Sequence, residues 1–211
     1  MAIEIKRLTL GMVSTNAYLV GDTEAKEAIL IDPVDNADAI LQVATESSWT
    51  IKLILATHAH FDHVLASKEL KEKTGAPFWI HEDCVSMLEM LPMQGRLFGM
   101  GEFPEAATPD RLLKSESESI ELGAIKLKTL YTPGHAVGHL SFYMEDHNIV
   151  FSGDTLFLGS IGRTDLPGGN LQLLLKSIRE QLFPLGDDVK VLAGHMGETT
   201  IGFERQNNPF L

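Results

Sequence analysis

The sequence predicts an α/β fold in a single domain spanning residues 1–211. Its length of 211 residues is enough to bury roughly 70% of the unfolded chain's surface in one domain. Short apolar runs typical of strands alternate with segments whose apolar residues recur at helical spacing. The two halves also resemble each other, because each contains a strand, a helix and a second strand that ends at a histidine. We therefore expect two sheets that present histidine-bearing loops along one edge.

In the first half, the runs EAILIDP at 27–33 and IKLILATH at 51–58 are rich in Ile and Leu and predict two strands. Apolar residues at helical spacing predict a helix over 37–44 between them, and Asp35 or Asn36 is its candidate N-cap. This part of the chain is therefore a strand, helix, strand unit.

The next segments predict a helix over 63–74 that stops at Gly75, a strand at 77–80 and a helix over 82–91. Residues 92–110 contain Gly, Pro, Met and Phe without any period and predict a long loop. Loops of this length in compact domains are commonly functional. We expect this one either to cover the active site and contribute to substrate choice or only to seal the core.

The second half predicts one helix and four strands. The helix covers 171–182, where leucine and isoleucine recur at helical spacing after a candidate N-cap at Asn170. The strands lie at 125–131, 139–144, 148–154 and 189–195.

Charge and composition narrow the function. The chain has 17 Lys and Arg against 29 Asp and Glu, a net charge of -12, which disfavours nucleic acid and anionic membranes as partners. The single cysteine, Cys84, cannot form an internal disulfide. Glu4, Lys6 and Arg7 fall where a signal peptide would be apolar, and no run reaches the roughly 18 apolar residues of a membrane span. These features predict a cytoplasmic protein that acts on a small molecule.

The motif THAHFDH at 57–63 concentrates histidines at a strand end. His58 and His60 can converge on one ion, and Asp62 and His63 can face a second. The alternative for Asp62 is an N-cap of a helix that starts at His63.

Further candidates occur at later strand ends, namely His135, Asp154 and His195. A lone histidine is more often part of the core or of a loop, and Asp154 could cap a turn, yet the whole set points to metal binding. Nitrogen and oxygen donors without thiolate suit zinc, iron or manganese. Seven ligands predict a two-metal centre in which Asp154, the remaining aspartate, bridges the ions.

Two other residues are predicted to support the ligands. Asp32 ends a strand beside the ligand loop and can hold the second ring nitrogen of a metal-bound histidine; alternatively, it is a turn residue before Pro33. His139 is predicted either to support the centre or to pack in the core. His147, in a polar turn, is expected to be exposed.

The motifs THAHFDH, TPGHAVGH, FSGDTLF and VLAGH, in this order, resemble those of the metallo-β-lactamase fold superfamily over nearly the whole chain. Within it, LIDP, GDTLF, GRTDLPGG and the closing Thr, Glu and Asn-Pro pattern are most similar to the glyoxalase II (hydroxyacylglutathione hydrolase) group. Longer members of that group carry a C-terminal helical extension that supplies part of the glutathione pocket, whereas this sequence stops at Leu211. The resemblance is therefore to the short single-domain form.

The resemblance implies a four-layer αββα sandwich with a two-metal site at one edge of the two sheets. One metal would be held by His58, His60 and His135, the other by Asp62, His63 and His195, and both by Asp154. Asp62 and Asp154 would also be the catalytic carboxylates. Arg163, where typical members carry a lysine, is a candidate clamp for a substrate carboxylate, and the alternative is a surface pair with Asp165 or a glutamate.

The implied chemistry is hydrolysis by a hydroxide that bridges two Zn or Fe ions. A thiolate can leave without a general acid, unlike an amine or an alkoxide, so the expected substrate is an S-(2-hydroxyacyl)glutathione or a related thioester. The alternatives are a mononuclear iron persulfide dioxygenase, using His58, His135 and Asp154, a lactonase or β-lactamase, and a non-enzymatic metal-binding module.

Overall fold

A computed structural model of the chain describes residues 2–211, which divide into two compact units. The first unit runs as far as Leu113 and also includes Glu121–Ile125, and the second comprises Lys114–Ile120 and Lys126–Leu211. Helices accompany a six-stranded sheet in each half of the chain, which confirms the predicted α/β class. The single domain spanning 1–211 stays a prediction.

The first sheet contains six strands, in spatial order β1 (Ile3–Leu10), β2 (Thr15–Asp22), β3 (Glu27–Ile31), β4 (Thr50–Leu55), β5 (Phe78–His81) and β6 (Arg111–Leu113). The first three are antiparallel, and β3 to β6 are parallel. Ile31 pairs with Leu55 at the ends of β3 and β4. The residues that follow these two strands therefore lie side by side at one edge.

The first unit has five helices, α1 (Ala37–Glu46), α2 (Phe61–Val64), α3 (Ser67–Thr74), α4 (Val85–Glu89) and α5 (Leu91–Leu97). Asn36 caps α1 by accepting the backbone N–H of Ala39, and Gly75 ends α3 in the left-handed conformation. Both ends agree with the prediction. The single helix predicted over 63–74 is wrong, because the chain forms two helices there and the first begins at Phe61.

The core of the first unit lies between its sheet and its helices. Leu19, Leu30, Ile54 and Phe78 of the sheet are fully buried in one cluster with residues of α1 and α3. Burying a side chain of this size contributes roughly 1.5–3 kcal/mol relative to leaving it exposed. This cluster fixes the strand ends from which the ligand loop departs.

The long loop predicted over 92–110 is partly wrong, because α5 occupies its first third. Pro92 sits in the first turn of α5, where its missing N–H costs nothing, and Gly95 is buried inside the helix. Phe103 and Ala107 in the remainder are buried in the unit's core. This part of the chain therefore seals the core, while its role as a lid stays a prediction.

The second sheet has six strands, and a two-stranded sheet is inserted between two of them along the chain. Its strands are β7 (Ser119–Leu122), β8 (Ile125–Tyr131), β9 (Leu140–Met144), β10 (Ile149–Gly153), β13 (Lys190–Ala193) and β14 (Thr199–Thr200), and the small sheet pairs β11 (Leu156–Phe157) with β12 (Ser160–Ile161). The spatial order is β14, β13, β10, β9, β8, β7. β10 and β13 are parallel, with Gly153 beside Ala193, so these strands also end at one edge.

Two helices belong to the second unit, α6 (Leu171–Ser177) and α7 (Ile201–Asn207). Asn170 caps α6 through the backbone N–H of Leu173, and the helix continues as a π-helical turn over Ile178–Leu182. The predicted helix at 171–182 and its cap are therefore confirmed. Across residues 2–211, none of the helices has the length and apolar character that a membrane crossing requires.

Candidate metal centre

The THAHFDH motif forms the loop that follows β4. The backbone N–H of Asp32, just after β3, donates to the carbonyl of Leu55 at 2.8 Å, which joins the two strand ends. The chain then turns, and α2 begins at Phe61 with His60 at its N-cap position. Asp62 therefore lies inside the first turn, and the alternative in which it caps a helix starting at His63 is wrong.

The loop arranges its candidate ligands in the two pairs that the spacing predicts. His58 Nε2 lies 3.0 Å from His60 Nδ1, and His63 Nε2 lies 3.4 Å from Asp62 Oδ2. Thr15, at the start of β2, donates its hydroxyl to Asp62 Oδ2 at 2.7 Å. A neighbouring strand thus holds the aspartate in place.

A buried aspartate, Asp32, lies behind this loop, where the sequence places it. Its Oδ2 lies 2.8 Å from His63 Nδ1 and 3.0 Å from Thr57 Oγ1, and its Oδ1 accepts the Thr57 N–H at 2.7 Å. A carboxylate only accepts, so we assign the proton of His63 to Nδ1 and the lone pair to Nε2.

The same carboxylate orients His58 through the Thr57 hydroxyl. Since that hydroxyl gives its hydrogen to Asp32, its oxygen accepts from His58 Nδ1 at 3.0 Å. The lone pair of His58 therefore also lies on Nε2, the atom that faces His60. Asp32 therefore orients both imidazoles so that each has its Nε2 lone pair available to bind a metal ion.

In the second unit, the candidates come from three separate strand ends. The Gly194 N–H donates to the Gly153 carbonyl at 2.8 Å, which brings the residues after β10 and β13 together. Asp154 Oδ2 lies 3.4 Å from His195 Nε2 and 3.5 Å from His135 Nε2. One carboxylate oxygen thus faces two imidazole nitrogens.

Backbone groups hold these side chains. His135 Nδ1 lies 2.7 Å from the carbonyl of Arg163, so it carries the proton and leaves the Nε2 lone pair towards Asp154. His139 is fully buried, and its Nε2 accepts the Asp154 N–H at 3.0 Å while its Nδ1 lies 2.9 Å from Thr132 Oγ1. His139 therefore supports the backbone of a candidate ligand.

The spacing of these atoms fits metal binding in each unit. The three imidazole–carboxylate distances of 3.4, 3.4 and 3.5 Å exceed the 2.7–2.9 Å typical of charge-assisted hydrogen bonds. A tetrahedral ion with bonds of about 2.1 Å separates its ligands by about 3.4 Å. Nitrogen and carboxylate donors at this spacing could hold a zinc or iron ion.

Arg163 and His147 are the remaining residues for which the sequence gave an expectation. Arg163 is exposed, and its guanidinium makes two 2.8 Å bonds to Asp165. This pairing, the alternative weighed above, raises the pKa of Arg163 and lowers the pKa of Asp165 to about 2. The expectation that His147 is exposed is wrong, since it is half-buried in a 3-10 turn.

Three residues that support the ligand loop, Thr15, Thr57 and Gln94, were not predicted from the sequence. Thr57 is the first residue of the motif and could have been found as a hydroxyl beside the candidate ligand His58. Thr15 and Gln94 lie 47 and 33 residues from their partners in the loop, and only the folded chain brings them there. A polar residue in an apolar segment was the one signal that Gln94 gave.

Comparison with known proteins agrees with this geometry. A family model described as the metallo-beta-lactamase superfamily matches residues 10–195. The hydroxyacylglutathione hydrolase GloC of Haemophilus influenzae is 40% identical over 212 aligned residues, which cover 100% of this chain and 98% of GloC.

Solved structures agree as well. BLEG-1, a B3 metallo-β-lactamase, has a TM-score of 0.92 and 38% identity, with 99% of each chain covered. TTHA1623 in a di-iron-bound form has a TM-score of 0.87 and 37% identity, with 98% of this chain and 100% of that one covered. The chain therefore has the metallo-β-lactamase fold and belongs to the metallo-β-lactamase superfamily as a metallo-hydrolase.

Proposed function

We propose that the protein is a dinuclear metal-dependent thioesterase of the glyoxalase II type. It would hydrolyse an S-(2-hydroxyacyl)glutathione or a related thioester to a hydroxy acid and a free thiol. The observation that carries the proposal is the pair of histidine–aspartate clusters whose donor atoms stand at ligand spacing. The 40% identity to a hydroxyacylglutathione hydrolase over the whole chain supports the choice of substrate class.

In this proposal, seven side chains hold two first-row ions, zinc, iron or one of each, with manganese as a further candidate. His58, His60 and His135 would hold the first ion, Asp62, His63 and His195 would hold the second, and Asp154 would contribute to both. When bound, the ions would lower the pKa of a coordinated water towards about 7 and polarise the scissile carbonyl. Zinc and iron both suit imidazole and carboxylate ligands.

The chain's own groups prepare this site before substrate arrives. Asp32 keeps the protons of His58 and His63 on Nδ1, one through Thr57 and the other directly. The Arg163 carbonyl does the same for His135. Each of these rings therefore has its lone pair on Nε2. A metal ion could bind there without displacing a proton from the ring.

The leaving group favours a thioester over an amide or an ester. A thiol has a pKa near 8.5, so its thiolate departs at neutral pH without a proton donor. An amine or an alkoxide usually needs one. The clusters described above supply imidazole lone pairs and carboxylate oxygens, which suit a reaction that requires no general acid.

A β-lactamase is the second candidate, because BLEG-1 carries that name and shares 38% identity over 99% of both chains. β-Lactam hydrolysis releases an amine, which makes protonation of the leaving group the step that distinguishes the two reactions. A persulfide dioxygenase and a lactonase remain alternatives from the sequence motifs.

One set of assays on the purified protein separates these candidates. Metal analysis should find two first-row ions per chain, and release of thiol from S-lactoylglutathione should reach a kcat/KM of roughly 10⁴ M⁻¹s⁻¹ or more. A chromogenic β-lactam, a lactone, and a persulfide in an oxygen electrode are the parallel substrates. One iron per chain with oxygen uptake would establish the dioxygenase, and faster turnover of the β-lactam or the lactone would replace the thioesterase.

A further inference from the structure

Gln94 on α5 (Leu91–Leu97) is a buried amide bonded to the ligand loop. Its side chain is 7% exposed. Its Oε1 accepts the Phe61 N–H at 2.9 Å, and its Nε2 donates to the carbonyls of Ala59 and Met87, each at 3.0 Å. Both hydrogens and one lone pair of the amide are therefore used.

Two of these bonds reach the residues on either side of His60. One neighbour, Ala59, offers a carbonyl and the other, Phe61, offers an N–H, so only a side chain that accepts and donates can satisfy both. A carboxylate lacks the donor, and an apolar side chain lacks both groups. The glutamine thus fixes the backbone that carries a candidate ligand from both directions.

The helix that carries Gln94 is itself anchored. Leu91 is fully buried, and a Cβ on Gly95 would lie 2.4 Å from the Gly101 carbonyl, so the helix packs too closely for any larger residue there. The ring of Phe61 stacks on Phe103, with centroids 5.1 Å apart. The amide is therefore carried by a helix that packs closely against its neighbours.

We infer that Gln94 is a positioning residue for His60. By fixing the backbone at 59–61, it keeps His60 Nδ1 at 3.0 Å from His58 Nε2. These two nitrogens would bind one ion. This inference rests on the proposed function, in which His60 is a ligand. A purely structural role would satisfy three buried backbone groups and leave the affinity for metal unchanged.

The test is metal release from the purified, zinc-loaded protein to a graded series of chelators. Gln94→Met keeps the side chain's volume and removes its hydrogen bonds. We expect it to release one ion about 10 to 100 times more readily than the unaltered protein, the usual effect of removing a group that supports a ligand, while the other ion is retained. The cobalt-substituted variant should show a changed visible spectrum for one site only.

Two control variants separate positioning from stability. Thr129→Val removes, at nearly constant volume, the part-buried hydrogen bond that Thr129 Oγ1 accepts from the Glu118 N–H in the second unit. Gln42→Met makes the same substitution as Gln94→Met at an exposed glutamine. Both should release zinc as the unaltered protein does, even where Thr129→Val unfolds at a lower temperature.

The outcomes distinguish this inference from the proposed function. If Gln94→Met folds and releases both ions at the unaltered rates, Gln94 is not a positioning residue. If Gln94→Met does not fold, Gln94→Glu, which keeps an acceptor for the Phe61 N–H but lacks the donor for Ala59, carries the same prediction and the same refutation. If the unaltered protein binds fewer than two ions, the proposed dinuclear centre fails instead.

Discussion

Two parallel strand pairs, β3 with β4 in the first unit and β10 with β13 in the second, each have an aspartate just after their first strand, and the two aspartates have different surroundings. In the first unit, Asp32 follows β3 and lies beside the ligand loop that follows β4. In the second unit, Asp154 follows β10 and lies beside His195, which follows β13. Parallel pairing therefore brings a carboxylate to a histidine-bearing strand end in both units.

The difference is in which imidazole nitrogen the carboxylate meets. Asp32 lies 2.8 Å from His63 Nδ1 and accepts from both the N–H and the hydroxyl of Thr57. Asp154 faces Nε2 of His135 and of His195 at 3.4 to 3.5 Å. Parallel pairing brings a carboxylate to each candidate site, and in the proposed centre the donors around it would decide whether it orients a ligand, as Asp32 does, or serves as one, as Asp154 does.

Replacing Asp154 should have the largest effect. We expect Asp154→Ala to lower kcat/KM for a thioester by roughly a thousandfold or more, because a bridging ligand influences both ions and each is worth several kcal/mol to the reaction. Metal content should fall below two ions per chain while the far-UV circular dichroism spectrum stays unchanged. His147→Ala is the matched control, and full activity in Asp154→Ala would remove this residue from the centre.

Replacing Asp32 should have a smaller effect on the same measurements. Asp32→Ala removes the groups that orient His58 and His63 but no ligand, so we expect a 10 to 100-fold loss in zinc affinity or in rate. Thr57→Val should affect His58 alone and cost less. If Asp32→Ala and Asp154→Ala lost the same zinc affinity and the same activity, the two aspartates would not differ in role. If Asp32→Ala bound zinc as the unaltered protein does, Asp32 would be only a turn residue.

A further buried carboxylate, Glu204, bonds to residues other than the candidate ligands, and its role is tested through the stability of the second unit. In the second unit, the buried carboxylate of Glu204 on α7 accepts from Thr199 Oγ1, the Gly159 N–H and Asn208 Nδ2 at 2.6 to 2.9 Å. Glu204→Gln places an amide donor against these donors. We expect the free energy of unfolding to fall by about 1–3 kcal/mol, measured by urea denaturation, and a loss below 0.5 kcal/mol would contradict this account.

Much of the first unit's site could be predicted because its candidate ligands are contiguous. His58, His60, Asp62 and His63 fall within six positions, at the end of an apolar strand that the sequence shows clearly. The three candidates of the second unit are dispersed. The similarity between the halves located the strand ends before Asp154 and His195, and His135 was placed by the strand that precedes it. Capping residues such as Asn170 also gave correct helix boundaries.

The rest depends on tertiary context. β2 (Thr15–Asp22) is buried on every residue, yet its apolar run covers only residues 17–20, between Thr, Asn, Gly and Asp, and it shows no alternation. α5 contains Pro92 and Gly95 and exposes Met93 and Leu97, so its composition suggested a loop. The supporting residues Thr15 and Gln94 lie on these two elements, which explains why both were missed.

The smallest effect should come from Arg163. Its carbonyl holds His135, while its exposed guanidinium is paired with Asp165. Asp165 has a pKa lowered to about 2, so the pair is intact at neutral pH and is lost only as the pH falls through that value.

We expect Arg163→Ala to keep both ions and to change kcat and KM for S-lactoylglutathione by less than about threefold, since a surface pair contributes little. Asp165→Ala, which removes the partner and leaves the guanidinium, is the matched variant. If Arg163→Ala raised KM tenfold at constant kcat and Asp165→Ala lowered KM, the guanidinium would be a clamp for the substrate's carboxylate.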